Sequence, residues 1–86
     1  MLTLREAVRL ATQAAPDDPM DGKTMRAFAT ALRVGLAYEM ADTRPSICDL
    51  AREFEMTRHA VGRALIRWRD MPFPDRAGWF VYACRQ

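Results

Sequence analysis

The sequence predicts a small, mainly α-helical domain closed by a short C-terminal β-hairpin. Three observations carry this expectation. The chain has 86 residues, half of them apolar and 28% charged, which suits one small globular core. Apolar residues recur at spacings of three and four along the first two thirds of the chain, the period of an amphipathic helix. The last segment, "WFVYAC", is instead aromatic and β-branched, the composition of a strand.

Thr3 and Glu6 have capping-box spacing, in which hydroxyl and carboxylate satisfy open amides at a helix start. Leu4, Ala7, Val8, Ala11 and Ala15 then trace one helical stripe, and Pro16 stops it. "PDDPMDG" reads as a linker or tight corner, and Asp21 as the cap of a second helix. That helix carries Met25, Phe28, Ala29, Leu32, Leu36 and Met40, the most sustained periodicity in the chain. Lys23, Arg26, Thr30 and Arg33 fall toward its other side. "DTRPS" interrupts it, and Ser46 with Asp49 forms a second capping box. Ile47, Leu50, Ala51 and Phe54 make a third, short amphipathic helix ending near Glu55. Thr57 caps a fourth, buried through Val61, Ala64, Leu65 and Trp68. After it, "DMPFPDRAG" reads as a corner. The strand that follows needs a partner near Met71 to Phe73, where Pro72 and Pro74 leave few bonds. Residues 1–86 are thus one domain: helices over 1–43, a helical pair over 44–70, and a closing strand or hairpin over 71–86.

Several classes of function find no support. No Gly-rich phosphate loop, apolar-set carboxylate cluster or nucleophile paired with the sole His is present, so catalysis is not expected. Cys48 and Cys84 stand far apart outside any CxxC, and one His cannot complete a zinc set. No metal or other cofactor is expected. "MLTLREAVRL" carries Arg5, Glu6 and Arg9, so it has no secretory core, and no apolar run reaches the ~20 residues of a membrane span. The expectation is a cytoplasmic protein without membrane contact.

Charge is unevenly placed. Residues 1–43 hold five basic and six acidic residues, and residues 44–86 hold eight and five. "MTRHAVGRALIRWR" contains Arg58, Arg63, Arg67 and Arg69 without one acid, which points to an anionic partner on one face.

A short helix, a three- or four-residue turn and a capped second helix is the helix-turn-helix arrangement. Over Ser46 to Leu65 the chain resembles the helix-turn-helix of bacterial and phage DNA-binding regulators. The matching residues are a small Ala51 where the second helix crosses, inward Leu50 and Phe54, apolar Met56 before capping Thr57, and the anchors Val61 and Leu65. One departure is Glu55, which stands where such turns use a Gly in positive φ, at a cost on the order of 1 kcal/mol. The resemblance implies that the helix over 57–69 enters the DNA major groove, and marks Thr57, Arg58, His59, Gly62, Arg63 and Ile66 for contact.

Side-chain chemistry divides these roles. Arg63 suits bidentate contact with guanine, Arg58 or His59 a second base or phosphate, and Ile66 a thymine methyl. Ser46, Thr57, Arg44, Arg67 and Arg69 suit phosphate. Gly62 lies on the outward face, where it costs a helix ~1 kcal/mol relative to Ala, a cost that close approach to DNA would explain. The C-terminal piece resembles the wing of winged-helix proteins, with Arg76 at its tip. The implied function is that of a small transcriptional regulator binding double-stranded DNA as a homodimer, because one recognition helix reads few base pairs. The dimer surface would come from Leu4–Ala15, the second helix or the terminal strand. The alternative is a protein-interaction module on the same fold, favoured by the near-neutral first half and six Met.

Overall fold

The computed structural model describes the backbone over residues 2–14 and 22–85, and side chains over 2–14 and 27–85. Among these residues the chain is mainly α: α1 (Leu4–Ala14), α2 (Gly22–Met40), α3 (Ile47–Phe54), α4 (Arg58–Asp70) and α5 (Phe73–Cys84). The expectations for Ala15, for the linker over residues 16–21, for the Asp21 cap and for the side chains of Lys23, Met25 and Arg26 lie outside the described residues, and Gly22, read as the end of that linker, begins α2.

Three helix starts are set by the side chains the sequence marks. At α1 the Thr3 amide and hydroxyl donate to Glu6 Oε1 at 3.0 Å each, and the Glu6 amide donates to Thr3 Oγ1 at 3.2 Å. At α3 the Ser46 amide donates to Asp49 Oδ2 (3.2 Å) and the Asp49 amide to Ser46 Oγ (3.1 Å). At α4 Thr57 Oγ1 accepts from the Ala60 amide at 3.1 Å. These hydrogen bonds hold both capping carboxyls below the usual carboxylate range, through the Thr3 amide at Glu6 and the Ser46 hydroxyl at Asp49. A lowered folded-state pKa adds stability above the unfolded pKa, and acid removes it as each carboxyl protonates.

α2 is the hub. It packs against each of the other four helices. Ala29, Ala31, Leu32, Val34, Leu36 and Ala37 are all buried along it, so its apolar surface wraps around the axis rather than forming one stripe. Ala7, Ala11 and Ala14 of α1 are buried in the same core. The small side chains let helices lie close, and this is tightest at Gly35. A Cβ built there would fall 2.7 Å from Trp68 Cε3 and closer still to Cγ and Cδ2. The indole of α4 therefore lies directly on the α2 backbone, buried to 4% exposure.

The C-terminal expectation is corrected. Residues 73–84 form a helix, no strand occurs among the described residues, and there is neither hairpin nor wing. The prolines read as strand breakers start this helix instead: Pro72 precedes it and Pro74 occupies its first turn, where amides need no intrahelical acceptor. Asp75 and Arg76 amides both return to the Pro72 carbonyl, at 3.0 and 3.1 Å. A lone strand would leave its backbone unpaired, whereas a helix satisfies it locally. Strand alternation required Trp79/Val81/Ala83 or Phe80/Tyr82/Cys84 to be buried as a set. The helix draws Trp79, Phe80 and Ala83 inward together, and leaves Val81, Tyr82 and Cys84 exposed.

Gly35→Ala is expected to destabilise the protein by about 1–3 kcal/mol despite alanine's better helix propensity, because the rigid indole has no free volume to enter. Combining it with Trp68→Phe should cost less than the two single changes added, a coupling that thermal unfolding of all four proteins would measure.

Candidate nucleic-acid interface

The pair α3–α4 is joined by Glu55, Met56 and Thr57. Glu55 adopts a left-handed conformation, φ 55° and ψ 47°, the sole such non-Gly residue among those described. Its amide donates to the Arg52 carbonyl at 3.4 Å and the Met56 amide to Ala51 at 2.9 Å. This is the Schellman closure, in which glycine is usual and a side chain is strained. It aims α4 by reversing the chain within three residues, and Met56 then packs against the core.

α4 divides cleanly. Val61, Ala64 and Trp68 are buried, with Leu65 partly so. Thr57, Arg58, His59, Arg63, Ile66, Arg67 and Arg69 are exposed, and Gly62 is half-exposed. Among the described residues Arg58, Arg63 and Arg67 make no ion pair. Arg69 has only a 3.9 Å contact with its neighbour Asp70, both exposed, and exposed pairs of this kind contribute little. Arg63 and Arg67 are four residues apart, a spacing at which like charges repel on a helix. They flank two concavities: one beside Ile66 and Asp70, the other between α4 and α2 at Ala27 and Thr30.

The two helix starts differ electrostatically. At α3 the Asp49 carboxylate already neutralises the end, and Ser46 is committed to it. At α4 the first turn has no acid, so its positive dipole end and the Arg58 and His59 amides face outward unopposed. The Thr57 hydroxyl accepts the Ala60 amide proton and retains its own proton to donate, whereas the Ser46 hydroxyl is engaged with Asp49.

Ser46, Ile66 and Arg69 border one shared concavity with Tyr38, Leu65 and Ile47. The sequence counts Ile47 with Leu50, Ala51 and Phe54 on the apolar side of an amphipathic helix, yet it is 43% exposed and borders the same concavity as Ile66, itself 51% exposed. Its position directly after the Ser46 cap is the available signal, since a first-turn side chain can point away from the packed stripe. Arg44 is not open to an outside anion in the same way: it pairs with Glu39 at 3.2 Å and lies over the Tyr38 ring at 4.9 Å. Arg76 sits at the α4–α5 junction rather than at a wing tip. Its Nε donates to the Met71 carbonyl at 3.0 Å and its guanidinium stacks on Phe73. No cluster of His, Cys, Asp and Glu able to hold a metal occurs among the described residues. No helix among them is long and apolar enough to cross a membrane.

Glu55→Gly should relieve the left-handed strain and raise stability by about 0.5–1 kcal/mol, and denaturant unfolding would register it as a higher midpoint at unchanged slope. A Cβ added at Gly62 meets nothing within 4 Å. Gly62→Ala is therefore expected to stabilise the isolated protein by about 0.5–1 kcal/mol, read as a higher Tm. The chain matches no family model, no curated protein sequence and no solved structure.

Proposed function

We propose that this protein binds double-stranded DNA by placing the outer face of α4 in the major groove, as a small bacterial or phage transcriptional regulator acting as a homodimer. One observation carries the reading: Arg58, Arg63 and Arg67 stand exposed on one helix without an acidic partner among the described residues, beside a helix start that carries no acid. A polyanion that meets this uncompensated charge releases its counterions, which favours association. The resemblance of residues 46–65 to regulator helix-turn-helices adds support. In the proposed complex Arg63 and His59 address base edges, Ile66 a thymine methyl, and Thr57, Arg58, Arg67 and Arg69 phosphates. Gly62 lets the duplex approach the helix closely. Two copies side by side suit half-sites one DNA turn (~34 Å) apart, since each copy extends 34 × 28 × 22 Å.

A second reading, a protein-interaction module, is favoured by one specific feature. The exposed Ile47 and Ile66 border the same concavity, and two isoleucines suit an apolar partner better than phosphate.

Fluorescence anisotropy with random-sequence duplex DNA across a salt series separates the two. Wild type should bind with a steep negative salt slope. Arg67→Ala should weaken binding on every sequence and reduce that slope by about one. Arg63→Ala should bind random duplex almost as well as wild type but lose discrimination by ~1–3 kcal/mol at one position of a selected site. Gly62→Ala should bind less tightly although it folds more stably. Absence of duplex binding at low salt would overturn the proposal and leave the face to a protein partner.

A further inference from the structure

Three of the five large hydrophobic residues exposed among those described lie on α5: Phe73 at 70%, Val81 at 47% and Tyr82 at 50%. The helix turns Trp79, Phe80 and Ala83 inward, so its outer face is made of two rows at four-residue spacing. One row is Phe73–Ala77–Val81 and the other Pro74–Gly78–Tyr82. Each has its smallest residue in the middle. A two-fold axis at the midpoint of Ala77 and Gly78 would set Phe73 against Tyr82, Pro74 against Val81 and Ala77 against Gly78, so the surface can meet its own copy with the small residues at the crossing.

Gly78 sharpens the point. Mid-helix glycine is disfavoured, and a Cβ placed at Gly78 meets nothing within 4 Å, so no contact inside the chain accounts for it. Close approach of something outside the chain does. Charge sets the direction. Asp75 lies in the first turn of α5 and Arg85 follows its end, and neither forms an ion pair among the described residues. Antiparallel pairing puts Asp75 of one copy on the same side of the crossing as Arg85 of the other, about five residues or ~7.5 Å apart along the axis, and also opposes the helix dipoles favourably. Parallel pairing would set like against like.

We propose that the outer face of α5 is a homodimer interface, on which a second copy of this chain docks antiparallel with the two helices crossing at Ala77 and Gly78. Rows at four-residue spacing from both helices interdigitate, and the small central residues let the axes approach closely. Phe73 of one copy then meets Tyr82 of the other at each end. The open depression beside this face, lined by Trp68, Phe73, Ala77, Phe80 and Val81, receives the incoming ring. One 12-residue helix buries less than the ~800 Å² per partner of a standard interface, so the dimer is concentration-dependent. This surface deepens the homodimer of the proposed function, but it rests on the contour of α5 itself and is tested without DNA.

Sedimentation equilibrium of the full chain under reducing conditions, over a wide concentration range, makes the test. Wild type should associate to a dimer. Gly78→Glu and Val81→Glu should each weaken association at least ~10-fold, with helical circular dichroism retained. The first replaces a helix-breaking residue in open space, so unfolding cannot explain its loss. In a Cys48→Ser/Cys84→Ser background, Gly78→Cys should oxidise to a disulfide-linked dimer far faster than Thr12→Cys on α1, because crossing at this point brings two Cα atoms within disulfide reach. A wild type that stays monomeric, a Gly78→Glu protein that dimerises as wild type does, or equal cross-linking at both positions would each overturn the proposal. Failure of DNA binding alone would leave it standing.

Discussion

The contact of the Trp68 indole with the Gly35 backbone fixes the relation of α2 to α4, and the rest of the molecule follows from it. α2 touches every other helix, so whatever locates α4 on α2 also locates the outward side chains of α4. A planar, rigid ring on a bare helix backbone permits one depth and one rotation. The arrangement has a cost: among the described residues Trp68 Nε1 is buried without an acceptor, and such an orphan donor is worth roughly 1–3 kcal/mol of lost hydration. The burial of the ring against Gly35, Ala64 and the surrounding aliphatics offsets it, since a large aromatic in a core contributes more than that.

With Val61, Ala64 and Trp68 packed inward, α4 presents its arginines entirely on the outside. The turn before it is strained rather than relaxed, Glu55 holding a conformation that suits glycine. The helix after it starts almost at once, through Met71 and Pro72. Two abrupt junctions leave α4 no slack. The arginines are thus displayed on a frame whose ends are fixed by the backbone of α3 and the proline start of α5. Among the described residues those at 58, 63 and 67 form no ion pair.

Local signals made most of this legible before any coordinates. Capping pairs are chemical statements made within four residues, so Thr3/Glu6, Ser46/Asp49 and Thr57 placed three helix starts correctly. The inner and outer residues of α4 followed from its 3.6-residue period, and the unusual place of Glu55 from comparison with the turn the resemblance implies. What was hidden depended on contacts far apart in sequence. Nothing near Gly35 says that an indole 33 residues away will lie on it. α5 was misread because aromatic composition suggested a strand, whereas the helical spacing of Trp79, Phe80 and Ala83 toward one core decides the matter, and tertiary packing overrides propensity. Pro72 and Pro74 were ambiguous by nature, since proline ends one element as readily as it begins another. Ile47 showed the limit of periodicity at a helix end, where a residue can satisfy the pattern and still face solvent.

The separation of duties along α4 has an evolutionary corollary. Residues 58, 59, 63, 66 and 67 are exposed, while 61, 64 and 68 hold the helix in place. Drift at the first set therefore leaves the scaffold undisturbed, and on the proposed function a handful of outward side chains could be exchanged to re-address the protein without refolding it. Positions 35 and 68 have no such freedom, because a side chain at 35 meets the Trp68 ring and the cost of changing one depends on what stands at the other.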